Sequence, residues 1–170
     1  MTLKVDLETR IGRSPAAVFA ELVALDRYPQ WLIATGVTAV ELLDAGPLAA
    51  GTRLRIAQSV AGRATTLQGS VTALEPERSL ALQAKDPEGI KVGIEAAVQS
   101  DGPSTVLRWS LRVDLPLRYR MFEGMVAPQA RRAAGLDLEA FKRRLESVAD
   151  EPGSGGSPSV GPQPDTPEPA

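Results

Sequence analysis

From Leu3 to Ile11 the chain alternates, with Leu3, Val5, Leu7 and Ile11 on one side and Lys4, Asp6, Glu8 and Arg10 on the other. A period of two is that of a strand with one buried face. The alternation ends at Ser14–Pro15, an N-cap residue followed by a proline suited to the first helical position. Val18, Phe19, Leu22 and Leu25 then fall at helical spacing. Asp26 reads as a second N-cap, with Pro29 still inside the first turn, where its missing N–H costs nothing. Ser14–Trp31 therefore predicts two very short helices in series. The stretch holds three of the chain's few aromatic residues, Phe19, Tyr28 and Trp31.

Strand-like segments follow, separated by turn signals. Val37–Leu43 is one, and "GTRLRIAQSV" another. "GR" leads into "ATTLQGSVTALE", "PERS" into "LALQAK", "DPEG" into "IKVGIEAAVQ", and "SDGPS" into "TVLRWSLRVDL". Connections this short make neighbouring strands antiparallel. With the first segment this predicts about seven strands. After Pro116 the period becomes helical to Val148, with one stripe at Leu117, Met121 and Met125 and another at Leu138, Phe141, Leu145 and Val148. Pro128 predicts either a bend near Ala127 or two helices, the second starting at the proline. Residues 1–149 form one predicted domain. Residues 150–170 are Pro, Gly and Ser with four carboxylates and no Lys or Arg, a composition that predicts a disordered acidic tail.

The order strand, two short helices, six strands and one long helix predicts an α+β fold. In it a curved antiparallel sheet wraps the C-terminal helix, leaves a hollow, and has the short helices plugging one end. This order, with "IGRSPAAVFAEL", "LDRYPQW", "GPLAAGTRLRI", "VTALEPERSLAL" and "STVLRWSLRVDLP" in sequence, resembles the START-like or SRPBCC superfamily with its helix-grip fold, and within it the polyketide cyclase/dehydrase-type proteins. The resemblance spans Leu3 to about Val148. It implies the fold. It does not choose a reaction, because the superfamily includes apolar-ligand carriers, cyclases, ubiquinone-binding proteins and chaperone activators.

Composition narrows the chemistry. The 170 residues contain no Cys and no His, which leaves no disulfide, thiolate nucleophile or Ser-His-Asp mechanism and none of the commonest metal ligands. No metal site and no cofactor are predicted. The formal charge is −2, so nothing global favours nucleic acid or an acidic membrane surface. The tail carries −4, so residues 1–149 carry −2 − (−4) = +2. The N-terminus lacks the apolar run of a signal peptide, and no segment approaches the roughly 20 apolar residues of a membrane helix. The expected location is the cytoplasm.

Alternation assigns the wall of the hollow. Leu54, Ile56 and Gln58 point inward from the third strand, Thr65 and Leu67 from the fourth, Val92 and Ile94 from the sixth, and Leu107, Trp109 and Leu111 from the last. Trp31 closes one end, and Met121 and Met125 face in from the terminal helix. Each has a plainer alternative: Trp109 and the methionines as ordinary core, Gln58 as a strand-end residue in water. The inward polar groups, Gln58, Thr65 and Thr105, are not titratable, whereas acid/base catalysis needs a group whose pKa can be tuned.

Three functions stay open. One is binding of a hydrophobic small molecule of lipid, polyketide or isoprenoid type. A second, implied by the resemblance, is a polyketide cyclase or dehydratase drawing on Tyr28, Tyr119, Glu123 or Arg118 near the mouth. The third is a chaperone-activator-like interaction module that uses the arginine-rich helix and the tail.

Overall fold

The alternating segments meet in register. In the computed structural model, which describes residues 2–149, β1 (Thr2–Ile11) lies antiparallel to the last strand, β7 (Ser104–Asp114). Leu3 faces Val113, Val5 faces Leu111 and Leu7 faces Trp109 on the inner side. On the outer side Glu8 lies opposite Arg108 and pairs with it at 2.9 Å. Between these strands in the chain run β2 (Val37–Leu42), β3 (Arg53–Val60), β4 (Arg63–Glu75), β5 (Ser79–Lys85) and β6 (Lys91–Asp101). The sheet order is β1-β7-β6-β5-β4-β3-β2, antiparallel throughout. This is the predicted α+β architecture, a curved seven-stranded sheet holding a long C-terminal helix. The predicted tail, residues 150–170, lies outside the described residues.

The chain crosses from the β1 edge to the β2 edge through helix α1 (Pro15–Val23) and a 3₁₀ helix at Leu25–Gln30. Ser14 caps α1 by accepting from the Ala17 N–H at 3.3 Å. The second cap differs from expectation. Ala24 holds that position with no side-chain hydrogen bond, and Asp26 lies inside the 3₁₀ helix. With no residue to spare between the two helices, the second starts on the C-cap of the first.

The C-terminal region also departs from its predicted form. A 3₁₀ helix spans Leu117–Phe122, and α2 (Glu123–Ala149) follows with Pro128 inside it. The break thus falls at the 3₁₀-to-α change, ahead of the proline. Within α2, Pro128 leaves the Gly124 carbonyl without its usual amide partner.

Trp31 and Phe141 are fully buried at the centre of the core. Trp31 meets Phe141, Tyr28 and Trp109 edge to face, with ring centroids 4.7, 4.8 and 5.5 Å away. These contacts join α2, the first 3₁₀ helix and β7. Phe141→Ala should lower unfolding stability by about 3–5 kcal/mol, measured by urea denaturation. A loss below about 1 kcal/mol would mean that α2 is not seated on this cluster.

Candidate ligand cavity

A cavity lies between the inner face of the sheet, the first 3₁₀ helix and α2. Its wall is built by alternation: Val37 and Val40 from β2, Leu54, Ile56 and Gln58 from β3, Leu67 from β4, Leu82 from β5, Val92 and Ile94 from β6, and Trp109 and Leu111 from β7. Leu25, Tyr28, Leu32 and Thr35 close it from the crossing segment, and α2 contributes only the small Ala134. The cavity measures about 70 Å³; all unfilled space around it, open solvent included, comes to about 660 Å³. Gln58, Thr35, Val37 and Val92 are half-buried, and all four lie toward the end of the sheet where β3 turns into β4 and β5 into β6.

Eight of the thirteen predicted ligand-binding positions lie on this wall: Leu54, Ile56, Gln58, Leu67, Val92, Ile94, Trp109 and Leu111. Trp31 and Leu107 are buried but stand behind it in the core. Thr65 is half-buried near the start of β4, off the wall. Met121 and Met125 need correction, for they are 92% and 59% exposed. The predicted stripe assumed one period of about 3.6 residues from Leu117 onward. Residues 117–122 wind at about 3.0 residues per turn, so the stripe loses phase before α2 begins.

The candidate acid/base residues do not converge on the cavity. Tyr28 presents its ring to the wall, but its hydroxyl donates to the Leu22 carbonyl at 2.7 Å. Burial, with the nearby Glu21 charge second, pushes its phenol pKa far above the ordinary value of 10.0. Tyr119 donates to the Glu88 carboxylate, and that hydrogen bond holds the Glu88 carboxyl below the usual carboxylate range. Arg118 donates to the Glu88 carbonyl and lies over the Tyr119 ring. Glu123, expected near the mouth as a base, is exposed at the first turn of α2.

One polar residue escaped the prediction. Asp137 is 2% exposed, and its carboxylate accepts the backbone N–H groups of Ala34 at 2.6 Å and Thr35 at 3.0 Å. It ties α2 to the loop that ends in the cavity residue Thr35. Gly36 fixes the other side of this loop. Its carbonyl accepts from the Ser59 amide at 2.8 Å, its φ is +78°, and a Cβ there would stand 2.1 Å from the Ser59 carbonyl oxygen. The signal was in the sequence. Asp137 falls three residues after Ala134 and four before Phe141, an acidic side chain in line with the apolar stripe.

Burial penalises the Asp137 carboxylate more than its amide donors favour it, so its pKa lies above the ordinary 3.8. Among the described residues, no group of three or more Asp, Glu, His or Cys side chains is placed to hold a metal ion. No described helix is long and apolar enough to cross a membrane.

Residues 2–146 match the model of a family described as polyketide cyclase / dehydrase and lipid transport. No curated protein matches the chain. Among solved structures, the Zhui aromatase/cyclase from Streptomyces sp. R1128 is similar at 17% identity and a TM-score of 0.73, covering 92% of this chain and 100% of that one. A START superfamily protein from Mycobacterium smegmatis and the protein TTHA0849 from Thermus thermophilus each show 17% identity and a TM-score of 0.68, covering 86% of this chain and 99% of theirs. At such identity the likeness is one of fold.

A carboxyl whose pKa rises on folding binds more protons in the native state. Its contribution to stability is fully present below 3.8 and is lost as pH rises through the folded-state value. Asp137→Asn removes this titration. The stability difference, native minus variant, should therefore be largest near about pH 3.5 and shrink toward about pH 7, read by urea unfolding of both proteins across that range. A difference that grows with pH would mean the carboxylate is stabilised where it sits.

Proposed function

This chain belongs to the polyketide cyclase / dehydrase and lipid transport family, and from that premise we propose that it binds an apolar small molecule of lipid, polyketide or isoprenoid type between its sheet and α2. The chemistry of the wall carries the reading. Its side chains are aliphatic or aromatic, with Gln58 and Thr35 as polar groups near the open side and no carboxylate, lysine or arginine among them. Such a surface rewards removal of apolar area from water, at roughly 25 cal/mol per Å². It offers one or two hydrogen-bonding groups to orient a ligand's polar end.

Size sets a condition. Small-molecule sites commonly measure about 300–1,000 Å³, well above the enclosed 70 Å³. A ligand of lipid size therefore enters only if the surroundings yield, and the least held part of them is α2 ahead of Ala134, its one residue on the cavity. From Glu123 to Ala133 it has no buried residue, whereas Ala134, Asp137, Leu138, Phe141 and Leu145 are buried. A cyclase or dehydratase would also need a proton-transfer group facing the ligand. The Tyr28 hydroxyl is engaged by a backbone carbonyl, and the Asp137 carboxylate is taken by two amides.

Protein purified from its own host should carry a co-purified apolar molecule in native mass spectrometry. Ala134→Leu adds three carbons on the helix side of the cavity. It should remove that adduct and leave Tm unchanged or higher, since the new atoms fill existing space. An adduct that survives the Ala134→Leu substitution would place the ligand elsewhere and defeat the proposal.

A further inference from the structure

The mouth end of the sheet is apolar on its outside. Of nine large apolar side chains exposed among the described residues, six gather here: Ile33, Val60, Leu117, Met121, Phe122 and Met125. Their segments are held together. The Ser59 amide donates to the Gly36 carbonyl, joining the Ile33 loop to the β3–β4 hairpin. Arg63 of that hairpin pairs with Glu88 at 3.1 Å, and Tyr119 and Arg118 both donate to Glu88. Glu88 thus ties the hairpin and the β5–β6 turn to the second 3₁₀ helix, which holds Val60, Leu117, Met121 and Phe122 at one end of the sheet.

Cations stand beside them. Lys85 and Lys91 face each other directly across β5 and β6, and Lys91 faces Asp114 on its other side across β6 and β7; like charges directly opposite destabilise a sheet. Neither lysine, nor Arg120, forms an ion pair among the described residues. The neighbouring acids are largely engaged. Asp86 accepts the Ile90 amide at 2.8 Å, Asp114 accepts the Thr2 hydroxyl, and Glu88 has the partners just named. Glu123 remains, exposed at the start of α2.

We propose that this end docks on an anionic lipid bilayer, with the apolar rim entering the headgroup layer and Lys85, Lys91 and Arg120 meeting lipid phosphates. Amphipathic elements that lie in a membrane interface pair apolar insertion with basic contacts in this way. A second copy of the chain fits less well, because a two-fold contact presents the same patch twice and brings no phosphates to Lys85, Lys91 and Arg120. The inference rests on the carrier reading in one respect: docking sets the cavity mouth against the phase from which an apolar ligand would be drawn.

Flotation of the full chain with vesicles tests it. The protein should float with phosphatidylcholine mixed with phosphatidylglycerol and stay behind with phosphatidylcholine alone. Leu117→Asp/Phe122→Asp and, separately, Lys85→Glu/Lys91→Glu should each reduce the bound fraction about tenfold or more. Both pairs are at the surface and far apart in the chain, so one remains informative if the other fails to fold. Uptake of a fluorescent fatty acid without vesicles should be unchanged in Lys85→Glu/Lys91→Glu. No flotation, flotation equal on neutral vesicles and in the variants, or a lipid-free dimer abolished by the same substitutions would each overturn docking. Flotation without fatty-acid uptake would sustain docking and remove the carrier reading.

Discussion

Trp31 stands where the sheet, the crossing segment and α2 converge, with three other aromatic rings edge-on to it. This junction sets where the fold is solid and where it is hollow. A half-open sheet seven strands wide needs bulky apolar area on its concave side, and a chain so poor in aromatics cannot supply it everywhere. It concentrates Tyr28, Trp31, Trp109 and Phe141 at one level, each edge-to-face pair adding roughly 0.5–1.5 kcal/mol beyond burial. Above that level the wall continues in leucine, isoleucine and valine, which do not reach far enough to meet α2. The cavity is the volume left between this layer and the mouth.

The helix is fastened accordingly. Its C-terminal half is tied to the start of the chain: Arg13 donates to the Leu145 carbonyl at 2.8 Å, the Gly12 amide to Glu146 at 3.0 Å, and Arg144 to the buried Glu21 at 2.8 Å. Glu21 also pairs with Arg27 at 3.2 Å. Asp137 provides the last such tie before the helix reaches its unburied stretch. Segments with few buried apolar contacts open at lower free energy than the core. The gradient along α2 is therefore also a gradient in the cost of moving it.

The sheet was legible because alternation is a strong signal wherever one face is buried and the other carries charges. Lys4, Asp6 and Glu8 mark β1, and Arg108 and Arg112 mark β7, which fixes the way Leu107, Trp109 and Leu111 point. Two kinds of feature were not legible. Met121 was misplaced because a helical period cannot be told from a 3₁₀ start by spacing alone, and the difference turns a side chain from wall to solvent. Asp26 was misplaced because a cap depends on backbone angles at Ala24 that its own side chain does not reveal. Asp137 is different again. Its position in the apolar stripe announced a buried carboxylate, but the amides it serves lie about a hundred residues away, and no local pattern names them.

The buried polar groups then bear on what the cavity can do. A buried carboxylate with two backbone donors is a structural clamp, and its raised pKa reflects burial that the clamp requires. Trp31 presents the opposite case: its Nε1 is buried and has no hydrogen-bond partner among the described residues. An unmet donor costs on the order of 1–3 kcal/mol, and here it sits beside Tyr28 and Trp109, both of which face the cavity. The unmet donor thus belongs to the same residue that holds the core together, so any substitution of Trp31 acts on packing as well as on this polar group.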